Sequence, residues 1–254
     1  MIISKYICLF LVYSCLGWMY ETVYCTILTG KWENRGFLYG PVCPIYGVGA
    51  VVISVIAGAA ECLQSWQLFL ISVFGSAALE YFTSLVLEKM FHATWWDYSN
   101  MPLNLHGRIS LITSLCFGCA GLLIVYIIAP FTERTVSLIH PLALESLALL
   151  SVAVFMVDLT LTVTALMHFD QMVIQIEQGI NRNMEHLVEN TVQRTGQIRQ
   201  NLIARQRNLN ERINSMQSYA KSAILRIRTF KYDDKSRTSA VNRLLLIVKR
   251  NRKK

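Results

Sequence analysis

Acidic residues are scarce in the apolar stretches of this chain, and those that occur fall on helical steps. Ser72, Ser76, Glu80, Ser84 and Glu88 recur every four residues in one apolar run, and Ser14, Gly17, Glu21 and Tyr24 follow three- and four-residue steps in another. Either spacing stacks its side chains on one face of a helix. A third run carries Asp158, Thr160, Thr162 and Thr164, and two connections add Arg35 and then Trp96, Asp97, Tyr98, Asn104 and Arg108. An ionisable group inside a bilayer costs at least about 2.5 kcal/mol unless it is paired or wetted. Three kinds of chemistry are open to such a set. The acids can pair with Arg35 and Arg108 as structural glue between helices. They can line a wetted cavity that takes a substrate or ion. A carboxylate beside an arginine at the membrane interface can also act as general base and anion clamp on a lipid-linked substrate. His92 and His106 are isolated, and no nucleophile–base pair or metal triad assembles from spacing, so catalytic, cofactor and metal residues are assigned none.

The elements that must position these groups are membrane helices. Of 254 residues, 54% are hydrophobic and 16% charged, against roughly a quarter charged in soluble domains. Through Met167 there are 6 lysines and arginines against 9 acids, and beyond it 18 against 7, so the net charge of +8 is that of a basic tail on a nearly uncharged body. This divides the chain into a transmembrane bundle, 1–167, and a tail, 168–254. All seven cysteines lie in or beside apolar runs. The CxxC spacing of Cys116 and Cys119 falls inside one of these runs with no second pair, and reads as small core residues. The N-terminal run lacks a small-residue cleavage site and extends to Glu21, so it reads as a retained helix.

A crossing needs roughly 20 apolar residues as helix. Five runs qualify: about Ile3 to Leu28, Val42 to Ala60, Leu68 to Met90, Ile109 to Pro130, and Pro141 to Met167. Lysine and arginine in short loops resist translocation. Lys31 and Arg35 follow the first run, Lys89 and Arg108 flank the loop after the third, and the basic tail follows the fifth. Five crossings with the N-terminus outside place all three regions in the cytoplasm. The expected fold is an all-α, polytopic membrane helix bundle with five transmembrane helices, the last continuing into a long cytoplasmic helix.

Two loops stand out. Gly30 to Ala50 combines Gly36, Gly40, Pro41, Pro44 and Gly47 with Arg35, Tyr39 and Tyr46. Irregular backbone at membrane depth is tolerated only where protein buries it or where it lines a cavity, so this loop is expected to dip back into the bundle. In "HATWWDYSNMPLNLHGR", His92 to Arg108, the rings of Trp95, Trp96 and Tyr98 suit the headgroup level. Asn104 is placed to cap the next helix, and Arg108 to reach Glu80 or Glu88.

"GWMYE" (Gly17 to Glu21), "NRGFLYGPVCPIYGVGA" (Asn34 to Ala50) and "LEYFTSLVLEKMFHATWWDYSNMPLNLHGRISL" (Leu79 to Leu111) together resemble the signature blocks of the CmpB-like family of ABC-transporter type IV membrane proteins, over roughly residues 12–130. The resemblance implies a membrane transport protein and brings no established substrate or catalytic residue. Its polar positions fall on Glu21, Arg35, Glu80, Glu88, Trp96, Asp97, Tyr98, Asn104, Gly107 and Arg108; Asp158 joins them from the residue reading alone.

From His168 to about Thr229 the tail has no proline and a drifting heptad-like pattern, which predicts a long helix, with coiled-coil pairing as one use. The basic, amphipathic end, "AVNRLLLIVKRNRKK", suits an anionic lipid surface, and nothing beyond charge points to nucleic acid. The leading reading is a cell-membrane permease or transporter subunit. Its candidate substrate- or ion-binding residues are Glu21, Arg35, Glu80, Glu88, Trp96, Asp97, Tyr98, Asn104, Arg108 and Asp158. No GxxxxGK[ST] loop is present, so ATP-driven transport requires a separate ATPase subunit, and five spans point to a homodimer or other oligomer in membrane lipid. The alternatives are a lipid-acting membrane enzyme and a non-catalytic scaffold working through the tail.

Overall fold

The computed structural model describes residues 2–30, 36–60 and 62–190, the last 22 of these as backbone only, and in the tail Ala223, Ile224, 226–231, Thr238, Val241, Asn242, Leu245, Leu246 and Lys249. Arg35 lies outside the described residues, as does most of the stretch expected to form a coiled coil.

The apolar runs form helices α1 (Ile2–Thr29), α2 (Pro44–Ala59), α3 (Ser65–Phe91), α4 (Leu111–Leu123), α5 (Ala129–Ser137) and α6 (Pro141–Asn190). Among the described residues four stretches are long and apolar enough to cross a membrane: Ile2–Ile27, Ser65–Phe91, Leu111–Ser137 and Pro141–His168. The third of these joins α4 to α5 through one wide turn, Ile124–Ile128, with i to i+5 hydrogen bonding. Pro130 follows at once in α5. A proline lacks the N–H for an ordinary helical bond and crowds the carbonyl four residues back, and a widened turn relieves both conflicts.

The second apolar run is helical over 16 residues only, about 24 Å against a hydrocarbon core of about 30 Å. Its start explains the shortfall. The Cys43 N–H, just before α2, donates to the Ser14 carbonyl (3.0 Å), near the middle of α1. The connection from Gly36 to Cys43 therefore reaches half-way along the bundle before helix begins, as its glycines and prolines led us to expect. Close approach of α1 and α2 depends on absent side chains: a Cβ on Gly17 would overlap Tyr46, and one on Gly47 would overlap Ser14. The four-residue ridge of α3 is used likewise. Ser72, Glu80 and Ser84 are buried, and a Cβ on Gly121 of α4 would overlap Ser72. Tyr24 departs from the face expected of α1 and is exposed, as are Thr160 and Thr164 of α6.

The fold is not purely helical. Strands β1 (Ala93–Thr94), β2 (Asn104–Leu105), β3 (Ile109–Ser110) and β4 (Thr229–Phe230) form two antiparallel pairs, β2 with β3 and β1 with β4. The second pair corrects the tail reading, because a helix to about Thr229 does not describe residues 227–230. Ile227 and Arg228 leave the helical path, the Arg228 N–H donates to the Thr94 carbonyl (2.7 Å) and the Lys231 N–H to that of His92 (2.6 Å). Ile224, Ile227, Phe230, Val241 and Leu245 are buried with Phe91, Ala93, Trp95, Ala165 and Leu166. Part of the apolar face at the chain's basic end thus turns onto protein rather than lipid.

Candidate functional site

The polar groups gather at the end of the bundle where α1 and α3 finish and the tail docks. The loop after α3 is built first. His92 ends that helix in the left-handed conformation (φ 50°), its N–H on the Glu88 carbonyl at 2.9 Å. Beyond β1 the chain doubles back through contacts of its own. Asp97 Oδ1 accepts from the Ser99 N–H (3.0 Å) and the Ser99 hydroxyl, and Asn104 Oδ1 accepts from the Gly107 N–H (3.1 Å). The Tyr98 N–H donates to the Gly107 carbonyl (2.8 Å). Gly107 sits at φ 68°, with a Cβ there 2.5 Å from Ser99 Oγ and 2.9 Å from Asp97 Oδ1. Both the backbone and the space demand glycine. The Ser99 hydroxyl, followed by its N–H, holds the Asp97 carboxyl below its usual range. Asn104 ties this loop rather than capping α4. That cap is Ser110, which accepts from the Thr113 N–H (3.3 Å) and is one residue from the helix start, whereas Asn104 is exposed.

The folded loop delivers three groups into the bundle end. Arg108 Nη2 lies 3.0 Å from Glu88 Oε2, which settles the choice between the two glutamates, and its guanidinium carbon lies 5.4 Å from the centre of the Tyr81 ring. Lys231 Nζ from the tail approaches the same Glu88 oxygen at 3.9 Å. Trp96 Nε1 donates to the Arg108 carbonyl (3.0 Å). The third group, the Tyr98 hydroxyl, donates to Glu80 Oε1 (3.3 Å). Burial, reinforced by Glu80 and then Glu21, pushes the Tyr98 hydroxyl well above the usual phenol range.

Asp158 serves the dipping loop. Its carboxylate accepts the Tyr39 N–H (3.0 Å), the Gly40 N–H (2.9 Å) and the Thr162 hydroxyl (3.3 Å). The loop's carbonyls are met from the tail: Arg226 donates to Tyr39 (3.0 Å) and to Gly36 (3.5 Å). Non-helical backbone at this depth must have its N–H and C=O groups paired, and Asp158 and Arg226 supply partners for Gly36, Tyr39 and Gly40. Burial lowers Arg226 from the usual arginine range, and Asp158 opposes that.

Between these assemblies lie Glu80 and Glu21. The Cys43 thiol donates to Glu21 Oε2 (3.6 Å), and Tyr46 lies within electrostatic reach of both carboxyls. Glu80 is 6% exposed, and while Oε1 takes the Tyr98 hydrogen bond, Oε2 is buried with no partner among the described residues. Of the candidates foreseen, Glu21, Glu80 and Tyr98 thus meet in one cluster. Glu88, Arg108 and Trp96 form a second, and Asp97 and Asn104 hold the loop. Asp158 stands with the dipping loop, and Arg35 is not described. Cys43 and Tyr46 were not foreseen, and neither were the tail residues Arg226 and Lys231. The first two were legible in the glycine- and proline-broken start of α2, whereas nothing local marks which tail cations return to the bundle. Among the described residues no group of three or more histidine, cysteine, aspartate or glutamate side chains is placed to hold a metal ion.

No curated protein and no solved structure matches the chain. A family model does, over residues 8–163. That interval begins in α1, takes in both loops and ends in α6 beyond Asp158, so it holds every candidate residue named from the sequence and leaves the docking tail outside. Matched over more than half its length, the chain belongs to the family described as "Putative ABC-transporter type IV".

Proposed function

We propose that this protein is a membrane-embedded transport subunit whose polar cluster, Glu21, Cys43, Tyr46, Glu80 and Tyr98, lines the substrate route on the cytoplasmic side. One observation carries the reading: Glu80, nine-tenths buried between apolar helices, has one carboxyl oxygen on Tyr98 and the other without a partner among the described residues. A buried acid left half satisfied is costly, and a bundle that needed it only as glue would pair it as Glu88 is paired. The excess of lysine and arginine beside this end orients it toward the cytoplasm, with the N-terminus outside and α2 with its dipping loop making the fifth crossing. The chain carries no phosphate-binding loop, so a separate ATPase supplies the energy, and two copies of the bundle complete the pathway. Docking of the described tail residues on β1 favours this reading over a scaffold with a free tail.

The test is purification of the native assembly from membranes into nanodiscs. A co-purifying ATPase is expected, with vanadate-sensitive hydrolysis that Glu80→Gln alters and Lys5→Ala, at the far end of the bundle, leaves unchanged. Purification of the chain without an ATPase, or hydrolysis indifferent to Glu80→Gln, overturns the proposal.

A further inference from the structure

We infer that Glu80 holds a proton in the resting protein, and that the Glu80–Tyr98 pair is a site where a proton is bound and released. The use of that proton in transport rests on the function proposed above; the proton itself does not.

The groups facing Glu80 decide its charge. Tyr98 reaches it from the loop, Glu21 acts on it from α1, and Tyr46 of α2 lies within electrostatic reach. On its own helix the adjacent steps are Ser76 and Ser84, and the next acid, Glu88, is taken by Arg108. Across from α3, α4 presents Gly118 and Gly121 to Phe69, Val73 and Ser72. Among the described residues no lysine, arginine or histidine acts on Glu80. A carboxylate here would therefore be an anion in a nearly dry site, with a second acid nearby and one of its two oxygens unsolvated. Protonation removes the charge, and an unpartnered neutral hydroxyl is far less costly than an unpartnered ion. The Tyr98 hydroxyl fits either state, since it donates to Oε1 as carbonyl or as carboxylate oxygen. It keeps its own proton, as its raised position requires. The loop makes this possible: the Gly107 carbonyl fixes the Tyr98 N–H, Asn104 fixes the Gly107 N–H and Asp97 fixes Ser99 beside them, so the donor is aimed before any proton moves.

Glu80→Gln imitates the neutral acid and tests the charge directly. Below about pH 4, where the acid is protonated both folded and unfolded, the wild type and this variant are expected to share one stability. As pH rises past about 4.3 the unfolded glutamate gives up its proton while the folded one keeps it, so the wild type should weaken relative to the variant until the buried acid itself ionises. A difference between the two that does not move from about pH 4 to neutral pH, or that moves in favour of the wild type, shows Glu80 to be ionised and overturns the inference. Infrared spectra of the protein in lipid supply a second readout. A carboxylic C=O band that shifts in D2O is expected at neutral pH, lost in Glu80→Gln and retained in Glu88→Gln. In Tyr98→Phe it should move to higher frequency and persist to higher pH, because a donor that favours the ionised form is gone. A Glu80-dependent band that is absent, or indifferent to Tyr98→Phe, refutes the site. Proteoliposomes of the ATPase-bearing assembly loaded with a pH-sensitive dye separate the two proposals. The band with no proton movement leaves the proton in place and removes its use in transport.

Discussion

Replacing Gly107 with alanine tests whether the loop is held by the contacts described. At φ 68° an L-residue pays roughly 1–2 kcal/mol for the left-handed conformation. The new Cβ would also stand 2.5 Å from Ser99 Oγ, so that hydroxyl must leave Asp97. A hydrogen bond to a charged group contributes about 1.5–3 kcal/mol, but Asp97 is only half-buried, and screening brings this to about 1 kcal/mol. The expected loss is about 2–3 kcal/mol. Ser99→Ala alone should cost about 1 kcal/mol. In the double variant nothing remains for Ser99→Ala to remove, so the two effects should fall short of additivity by about 1 kcal/mol. Unfolding by SDS in mixed micelles, followed through tryptophan emission, supplies the measurement, since Trp95 and Trp96 lie in the same loop. Gly107→Ala within about 0.5 kcal/mol of wild type, the range of ordinary surface changes, or strict additivity in the cycle would refute the reasoning.

Three further outcomes follow from the geometry. Burial favours the neutral Tyr98 hydroxyl in the fold, so its contribution is fully present below pH about 10, the value for an unfolded tyrosine, and is lost as pH rises beyond it; Tyr98→Phe should flatten stability against pH on the alkaline side. Asp158→Asn offers one acceptor where two backbone N–H groups converge, and should cost about 1–3 kcal/mol while amide exchange quickens over residues 36–43; unchanged exchange there would disconnect Asp158 from the loop. Phe230→Ala empties a side chain that is 2% exposed, at about 3 kcal/mol, which should speed tryptic cleavage at Arg228 and Lys231 by on the order of a hundredfold where cleavage follows the open population; an unaltered rate would mean the tail is not held by this contact.

What was legible in the sequence was what has a period. Four-residue steps of serine and glutamate give the buried ridge of α3, and a run of about 20 apolar residues gives a helix wherever proline does not intervene. Glycine and proline density foretold the dipping loop, because their backbone consequences are local. Period alone did not choose between Glu80 and Glu88 as the partner of Arg108: they share a face two turns apart, about 12 Å along the axis, and only the folded loop decides. Contacts across long sequence distance left no trace at all. Tyr39 and Asp158 are 119 positions apart, Arg226 and Tyr39 are 187 apart, and neither partner carries a local signal for the other. The tail's return was hidden for a related reason. A strand pair two residues long has no alternation to display, and Ile224, Ile227 and Phe230 stand at three-residue steps that a helix would use equally well.

The acids in the family-matched segment share a charge but not a situation, and the difference bears on which of them can exchange a ligand. Glu88 is met by Arg108 and Lys231, Asp158 by two backbone N–H groups and a threonine, and Asp97 by Ser99. To displace any of those partners a ligand must replace a charge-assisted contact and leave its former holder stranded, the most costly outcome for a buried polar group. Glu80 carries no such debt, since its free oxygen has nothing to give up. The same tail that supplies Arg226 to the dipping loop and Lys231 to Glu88 is sewn to β1 through Thr229 and Phe230, so loop and tail together hold the end of the bundle to which Glu80 belongs. That hold gives the loop a role distinct from its aromatic surface. Its turns bring the Tyr98 hydroxyl to Glu80 from beyond the end of α3.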